Sequence, residues 1–342
     1  MVPETCNQFL SLTYSYLGEQ EQAADAADRA VWHAQQCGDT TTMGQAHYVL
    51  ALRSYWMGEP AAGAVHGRQA VHLLSGTAEL NWLGLSQWIL GLNYLFLGET
   101  TPALAAEAEA ARLAEELQDP RLQSFATWSI GWIQAAHGEW EDGIARCLHG
   151  VACAPDPVSV AAAASALGYT YLESGDIRQA ITHLEQALAQ LLQLRLRQSE
   201  GRISAWLSDA YLLDGRSDEA HELATRSLAI NREVKAQYGI AWAQRVLGKI
   251  ARTRAAFAEA ESHLTEALQT FTAMTARFEM GRTRLLLAEL AHAGGNCTAA
   301  TAHLHDAWQL FGALPVKKYV ERTEQMAEKW GVSLGEPQIT SP

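Results

Sequence analysis

Histidine, cysteine and lysine side chains occur at spacings that resemble fragments of metal or phosphate sites. His33 and Cys37 are four residues apart and could share one helix face, but two ligands do not make a zinc site. Gly248 and Lys249 are followed by isoleucine, so the phosphate-binding pattern G-x-x-x-x-G-K-[ST] is missing. The patterns H-E-x-x-H, C-x-x-C and G-x-S-x-G are also missing. We therefore expect no catalytic residue, metal site or cofactor, and the chain is predicted not to be an enzyme.

A group of basic residues offers binding chemistry instead. Arg245, Lys249 and Arg252 follow one another at i, i+4 and i+7, which places them on one face of a helix, and Arg282 follows in the next unit of the chain. Guanidinium and ammonium groups arranged in this way bind acidic groups or a chain terminus through charge-assisted hydrogen bonds. The alternative is a solvated face whose charges are balanced by Glu289 and neighbouring acidic residues.

Charge is distributed unevenly along the 342 residues, whose formal net charge is −13. Residues 1–171 contain 6 Arg, no Lys and 18 acidic residues, a net charge of −12, and residues 172–342 contain 19 basic and 20 acidic residues, a net charge of −1. An acidic chain lacks the surplus of cations that neutralises phosphates. We therefore expect no direct binding of nucleic acid.

The distribution of apolar residues and the number of cysteines indicate the cellular compartment of the protein. No apolar run approaches the ~18–20 residues that a membrane span needs. The first ten residues lack a basic segment followed by an apolar stretch, and the five cysteines are few and odd in number. These features predict a cytoplasmic protein that is not bound to a membrane.

The chain repeats itself. Short helix-breaking stretches lie at Gly18, Gly58, Gly98, Gly138, Gly175, Gly215, Ala255 and Gly295. Successive breaks are 40 residues apart, except for one interval of 37. Small residues recur at the same intervals at Gly44, Gly84, Ser124, Ala161, Gly201, Ala241 and Gly281. Such regularity predicts an array of equivalent structural units.

Each unit has the pattern of two helices. Leu167, Gly168 and Tyr171 fall on one helix face, and Gly175 then ends that helix because glycine tolerates a positive φ. The second helix continues with Ala180, Leu184 and Ala187. Three- to four-residue spacing of this kind favours amphipathic helices over strands.

These residues resemble the tetratricopeptide (TPR) repeat. The signature is seen as Leu90, Gly91, Tyr94, Gly98, Ala103 and Ala110, and again as Leu247, Gly248, Ala260, Leu264 and Ala267. The resemblance covers about residues 4–312 as eight units, with a period longer than the ~34 residues of the standard repeat. An array of this period is similar to the C-terminal TPR regions of bacterial signal-transduction ATPases, maltose-regulator-like activators and cyclase–ATPase fusions.

The resemblance implies an all-α fold, a right-handed TPR-like superhelical solenoid of eight helical hairpins with a C-terminal capping helix. We divide it into an acidic, aromatic half at 1–155, a half with basic groove residues at 156–312, the cap at 313–331 and a disordered tail at 332–342. A solenoid buries its core between neighbouring units, so its ends need caps.

Two features leave alternatives open. The 37-residue interval contains Pro155 and Pro157, and it is either a plain loop deletion or a bend between the two halves. No polar cap precedes Glu4, so either the array caps itself poorly or the sequence is part of a longer protein.

The resemblance also implies that a partner binds along the concave surface, which the first helix of each pair lines. The aromatic residues at the groove positions are Tyr48, Tyr55, Trp56, Trp88, Phe96, Trp128 and Trp132. The basic residues at these positions are Arg202, Arg245, Lys249, Arg252 and Arg282.

The aromatic set has two interpretations. Each ring can bury ~150–250 Å², so a solvent-facing set would form a patch that needs a partner to cover it. Alternatively, the rings fill the core between the repeats.

We expect from this sequence a non-catalytic protein-interaction and regulatory module, the sensor part of a bacterial signalling ATPase, cyclase or transcription regulator. Its partner would be a protein or peptide segment, or neighbouring domains of a larger chain. The alternatives are a small-molecule effector-sensing domain and a self-assembly module that forms a homodimer through the aromatic face.

Overall fold

The computed structural model describes residues 7–335, and within this range it contains seventeen α-helices and no β-strand. This confirms the all-α fold of eight helical hairpins followed by one further helix. The predicted beginning of the first helix at Glu4 and residues 336–342 of the predicted tail lie outside the described residues.

The first four hairpins, which we call repeats one to four, occupy the N-terminal half. Their helices are α1 (Asn7–Leu17) and α2 (Gln20–Cys37), α3 (Thr40–Met57) and α4 (Pro60–Leu74), α5 (Leu80–Leu97) and α6 (Thr100–Leu117), and α7 (Pro120–Ala136) and α8 (Trp140–Cys153).

Repeats five to eight continue the array, and α17 follows them. Their helices are α9 (Pro157–Ser174) and α10 (Ile177–Leu194), α11 (Arg197–Leu213) and α12 (Ser217–Glu233), α13 (Gln237–Thr253) and α14 (Phe257–Ala273), α15 (Arg277–Ala293) and α16 (Cys297–Gly312), and α17 (Lys317–Trp330).

The residue that ends the first helix of each hairpin has a left-handed backbone. All eight predicted breaks have a positive φ, between 57° at Ala255 and 87° at Gly175. This conformation reverses the chain within two or three residues, and it is why glycine occupies seven of the eight positions.

Some of the helix starts are capped by short polar side chains and followed by proline. Asp119 and Asp156 each accept hydrogen bonds from two backbone N–H groups of the following first turn, and a proline occupies the first helical position after each of them. Asp39 caps α3 through the backbone N–H of Thr42.

Small residues allow neighbouring helices to pack closely. A Cβ atom on Gly84 would lie 2.3 Å from Leu122 of the next repeat, and one on Gly44 would lie 2.6 Å from Leu74 of the same repeat. The predicted series of small residues therefore marks close approaches between helices.

The 37-residue interval changes the packing of repeats four and five. Helix α8 is only 14 residues long, and the connection to α9 has three residues, the last of which is the capping residue Asp156. Helices α7 and α9 pack against each other more extensively than the first helices of other successive repeats. The buried core nevertheless runs without interruption across this junction, from Tyr48 to Ala276.

The superhelix completes a turn after five repeats and contacts itself. Helix α1 packs against α11, α3 against α13, and α5 against α15. At the rim, Lys235 forms an ion pair with Glu21 at 2.8 Å, and Gln20 donates a hydrogen bond to Gln198 at 2.8 Å. The inside of the array is therefore a closed interior and not an open groove.

Helix α17 covers the apolar end of repeat eight. Tyr319 and Ala327 are buried in a separate core cluster with Phe311 of α16. The backbone carbonyl groups at its C-terminus accept hydrogen bonds from Gly331, whose φ is +66°.

Candidate functional site

The predicted aromatic groove residues lie inside the superhelix and are buried. The most exposed, Trp56, has 9% of its surface accessible, and Tyr48 has 2%. A solvent-facing aromatic wall is therefore absent from this conformation, and the rings fill the space between the repeats, as in the second interpretation of the sequence. Whether they also bind a partner remains a prediction.

The rings form a continuous network across the superhelix. Phe96 of repeat three stacks on Tyr55 of repeat two at 5.0 Å and on Tyr238 of repeat seven at 4.6 Å, measured between ring centroids. Trp132 contacts Trp206 of repeat six at 5.6 Å. Trp88 stacks on Phe125 at 4.6 Å.

Tyr48 belongs to a separate group of rings. Its ring packs edge-on against Trp82 at 5.5 Å between centroids, and Trp82 packs against Phe9 at 5.8 Å. Trp128 connects Trp88 with Trp132, since its ring centroid lies 6.1 Å from each of theirs.

Several members of the network are missing from the predicted site. In repeats two to four, the predicted groove residues lie two residues before, or two, five or six residues after, the conserved leucine or isoleucine of the first helix. Tyr169 and Glu173 of α9 lie two and six residues after Leu167, so the same spacing would have identified them in repeat five. Trp206 and Tyr238 lie outside that spacing. They reach the interior because the superhelix closes, which no local pattern shows.

A cavity that we call the aromatic cavity lies between repeats one to six and encloses ≈ 640 Å³ of space between atoms, with the solvent at its open mouth included. The aromatic residues that line it are Tyr16, Tyr55, Trp56, Trp88, Phe125, Trp128, Trp132 and Trp206. Small apolar residues of α9, such as Ala162 and Ala166, form the opposite wall. Of the described residues that line it, Arg202 alone is charged.

Arg202 extends from α11 toward the N-terminal repeats. Its guanidinium carbon lies 4.9 Å from the ring centroid of Trp56 and 5.2 Å from that of Trp206. Its Nη1 donates a hydrogen bond to the hydroxyl of Tyr55, 147 residues away in sequence. The predicted groove cation therefore joins repeat six to repeat two.

Arg245 is the most deeply buried of the predicted groove cations. It is 2% exposed, lies 4.1 Å above the ring of Trp242, and donates a hydrogen bond from Nη1 to Glu279 at 2.5 Å. Its other terminal nitrogen, Nη2, has no hydrogen-bond partner. Burial opposes ionisation of Glu279, but Arg245 and Arg282 beside it hold the pKa of this carboxyl below its ordinary value.

The remaining three predicted cations are also paired within the chain. Lys249 pairs with Asp209 of the preceding repeat, and Arg252 pairs with Glu289 of the following one. Arg282 donates to Glu173 at 2.7 Å across the interior of the superhelix. The alternative interpretation is thus correct in that acidic residues balance these cations. It is wrong in that most of the cations lie inside the superhelix and not on a solvated face.

These ion pairs surround a second space, which we call the basic cavity. It has a volume of ≈ 910 Å³, its mouth included, and lies between the C-terminal ends of α9, α11, α13 and α15 and helix α17. The charged residues that line it are Arg245, Lys249, Arg252, Arg282, Arg322, Glu173, Asp209 and Glu289. Five cations thus face three carboxylates.

The two cavities differ in chemistry and are separated by rings. A smaller space between Phe96, Trp132, Tyr169 and Tyr238 lies on the way from one to the other. The interior therefore offers an apolar chamber with one cation and a polar chamber with a surplus of cations.

Other kinds of site receive no support from the described part of the chain. Within residues 7–335, no group of three or more His, Cys, Asp or Glu side chains is placed to hold a metal ion. Over the same range, none of the helices combines the length and the apolar character required to cross a bilayer.

Comparison with known proteins identifies the architecture. No protein-family model matches the chain, and no curated protein matches it significantly. Among solved structures, a Rap protein complexed with competence and sporulation factor is similar with a TM-score of 0.68 at 12% identity, over 90% of this chain and 81% of that one.

Two further solved structures share this architecture. The Rap conjugation gene regulator of plasmid pLS20, solved with the Phr* peptide, gives a TM-score of 0.65 at 12% identity over 86% of this chain and 78% of that one. NprR in complex with its cognate peptide NprX gives 0.60 at 11% identity over 83% and 84%. Such low identities establish a shared fold, and this chain is a TPR-like superhelical repeat array.

Proposed function

We propose that this chain is a non-catalytic regulatory module that binds a peptide segment of a partner inside its superhelix. An acidic side chain or the terminal carboxylate of that segment would enter the basic cavity. The observation that carries this proposal is the surplus of cations around the cavity: five line it against three carboxylates, and the balance is five against four when Glu279, which pairs with Arg245 and Arg282, is included.

The cations of the basic cavity are well placed to exchange partners. Arg252 and Arg322 both pair with Glu289, so one carboxylate balances two guanidinium groups. A second carboxylate brought by a ligand would complete the balance through charge-assisted hydrogen bonds.

Arg245 adds a specific donor. A buried guanidinium N–H without an acceptor costs free energy, and its Nη2 lacks one. A peptide carboxylate in the cavity is the kind of acceptor that would fit, because arginine binds carboxylates in a planar, two-point geometry.

The solved structures of similar fold agree with this proposal. The Rap protein, the pLS20 regulator and NprR were each solved with a bound peptide or factor. We extend peptide binding to this chain as a proposal that rests on its own cavity.

We further propose that the module is the sensor part of a larger signalling system, as its resemblance to the TPR regions of signalling ATPases, cyclases and transcription regulators implies. Peptide binding would then shift the population of superhelix conformations that neighbouring domains recognise. Self-assembly through the aromatic face is the weaker candidate, because those rings are internal.

The test uses a peptide library with free C-termini and the same library with amidated C-termini. Peptides selected on the intact protein are then titrated by fluorescence anisotropy. We expect the free acids to bind at least about tenfold more tightly than the amides, because a hydrogen bond to a charged group contributes about 1.5–3 kcal/mol.

The variant that removes the surplus charge is Arg252→Gln with Arg322→Gln. Both side chains are partly exposed, at 31% and 57%, so the fold should tolerate the change. We expect the preference for free acids to disappear. The matched control is Arg112→Gln on the outer face of α6, where the pairs are local to one helix. Equal binding of acids and amides by the native protein would refute the proposal.

A further inference from the structure

The aromatic cavity is distinct from the basic cavity in its walls and in its charge. Aromatic side chains of the first helices α1, α3, α5 and α7 line it, and residues of α9, α10 and α11 complete the lining. The cavity is therefore assembled from six repeats.

Arg202 is a cation in this cavity without a counter-ion. Among residues 7–335, no carboxylate lies within ion-pair distance of it, whereas Arg245, Arg252 and Arg282 each pair with one. The guanidinium instead lies over the rings of Trp56, Trp206 and two further aromatic residues, at 4.9–5.5 Å. Rings stabilise a cation only partly, and a ligand anion would add an ion pair to this partly buried guanidinium.

The cavity wall also has hydrogen-bond donors without acceptors. The indole N–H groups of Trp56, Trp128 and Trp206 are buried and unpaired, and so is Nε of Arg202. By contrast, the indole N–H of Trp88 donates to Ser129 at 2.9 Å. The indole N–H groups of Trp140 and Trp242, which do not line this cavity, are unpaired as well, so the donor that distinguishes the cavity is Arg202, whose Nε would gain an acceptor from a ligand.

We propose that the aromatic cavity binds a small organic carboxylate with a flat apolar body, of the class of aromatic acids. The carboxylate would lie on the guanidinium of Arg202, and the apolar body would pack against the indole rings of the wall. A single positive charge among apolar walls matches a monoanion better than a phosphate, which would bring a second charge into a dry site.

A ligand at this position would act on the whole array. Arg202 belongs to repeat six, while Tyr55 and Trp56 belong to repeat two, and these residues meet only in the closed superhelix. A molecule that contacts both sides binds the closed form alone, and it would therefore stabilise that form by mass action.

The experiment titrates the intact protein with indole-3-acetate and with benzoate by calorimetry, and repeats each titration with the corresponding neutral amide. We expect saturable binding of the acids that is about tenfold tighter than that of the amides, with a rise in melting temperature that follows acid concentration. Equal or undetectable binding of acids and amides would overturn the proposal.

Variants separate this site from the basic cavity. Arg202→Gln keeps a polar side chain and removes the charge, and we expect it to abolish the preference for the acid. Arg252→Gln with Arg322→Gln should leave acid binding unchanged, since neither residue lines the aromatic cavity. If the double variant loses the acids and Arg202→Gln retains them, the proposal fails.

The two proposals fail in different ways. Loss of peptide binding alone, with the acids still selected over the amides, refutes peptide binding and leaves the aromatic-cavity site intact. The comparison of acid with amide on the native protein needs no variant, so it holds even if Arg202→Gln does not fold.

Discussion

Arg202 and Arg245 are both cations inside the superhelix, and what separates them is the presence of a carboxylate. Arg245 pairs with Glu279 at 2.5 Å, whereas Arg202 lies among aromatic rings. The sequence places both at groove positions, but it does not show which of them has a partner. That difference assigns Arg245 to the basic cavity and leaves Arg202 without a carboxylate partner among the described residues.

Glu107 is the most unusual buried residue outside the two cavities. It is 0% exposed on α6, beside Gly91, whose lack of a side chain gives the carboxyl its space. Neither oxygen makes a hydrogen bond of normal geometry. Burial raises the pKa of this carboxyl well above its usual value, and the nearby hydroxyl of Ser129 only partly opposes the effect.

The substitution Glu107→Gln should therefore change how stability depends on pH. In the folded protein Glu107 holds its proton above the pH at which the unfolded chain loses it, so the native state loses stability as pH rises from about 4.5. Relative to the variant, the free energy of unfolding of the native protein should fall by up to ~1.4 kcal/mol per pH unit in this window. Urea unfolding at a series of pH values measures it.

The control for this substitution is Glu115→Gln, an exposed residue of the same helix. Its unfolding curve should run parallel to that of the native protein at every pH. If Glu107→Gln also runs parallel, the carboxyl is ionised in the folded state and our account of it is wrong.

At the scale of the helices, the hairpin breaks are almost fully predictable from the sequence. Each of the eight hairpin breaks has a positive φ, and among these breaks only Ala255 is not glycine. A β-carbon in the left-handed region costs about 1–2 kcal/mol, so the break of repeat seven carries a local strain that the other seven breaks avoid.

We expect Ala255→Gly to raise the free energy of unfolding by about 1 kcal/mol, because relief of this strain outweighs the greater freedom of glycine in the unfolded chain. The equivalent break of repeat six, Gly215, has a φ of +84° and open space around it, so Gly215→Ala should lower stability by a similar amount. Denaturant unfolding measures both changes.

A glycine in the helix that follows provides the control. Ala258→Gly, at an exposed position of α14, should cost about 0.5–1 kcal/mol. A stability loss in Ala255→Gly as large as that in Ala258→Gly would show that the left-handed alanine carries no strain.

At the scale of the whole molecule, contacts between repeats that lie three to five units apart along the chain decide the character of the interior. Phe96 and Tyr238 stack face to face although 142 residues separate them, and Arg282 reaches Glu173 across the same interior. These contacts convert a concave groove into two cavities and bury the rings that a more open array would expose.

Closure predicts a specific cross-link. A Cβ on Gly98 would lie 3.9 Å from the Cβ of Arg277, which is the separation found in disulfides, so Gly98→Cys with Arg277→Cys should cross-link under mild oxidation. In a background without other accessible cysteines, mobility on a non-reducing gel measures the product.

The matched control is Gly175→Cys with Arg277→Cys. Gly175 has a similar backbone, with a φ of +87°, but no atom of a neighbouring element lies within 4 Å of a Cβ built there. This pair should stay reduced. Equal cross-linking of the two pairs, or of neither, would show that repeats three and eight do not meet in solution.

By itself, the sequence determined the all-α class, the eight hairpins, the positions of their breaks and the closing helix at the end. These features follow from local rules, since glycine at a fixed interval and apolar residues at three- to four-residue spacing act within one hairpin or between adjacent ones. The resemblance to the TPR repeat placed Tyr55, Trp132 and Arg245 on the inner side of the array, and their role in binding a partner stays a prediction.

Only the tertiary structure decided how tightly the array coils. Each repeat is rotated slightly relative to the one before it, and these rotations add up over five repeats. The total rotation cannot be inferred from the sequence of any single repeat. This total rotation brings Trp206 and Tyr238 into contact with rings of the N-terminal half and buries the aromatic set. It also gives Arg282 its partner Glu173, while Arg202 has no carboxylate beside it in the described part of the chain.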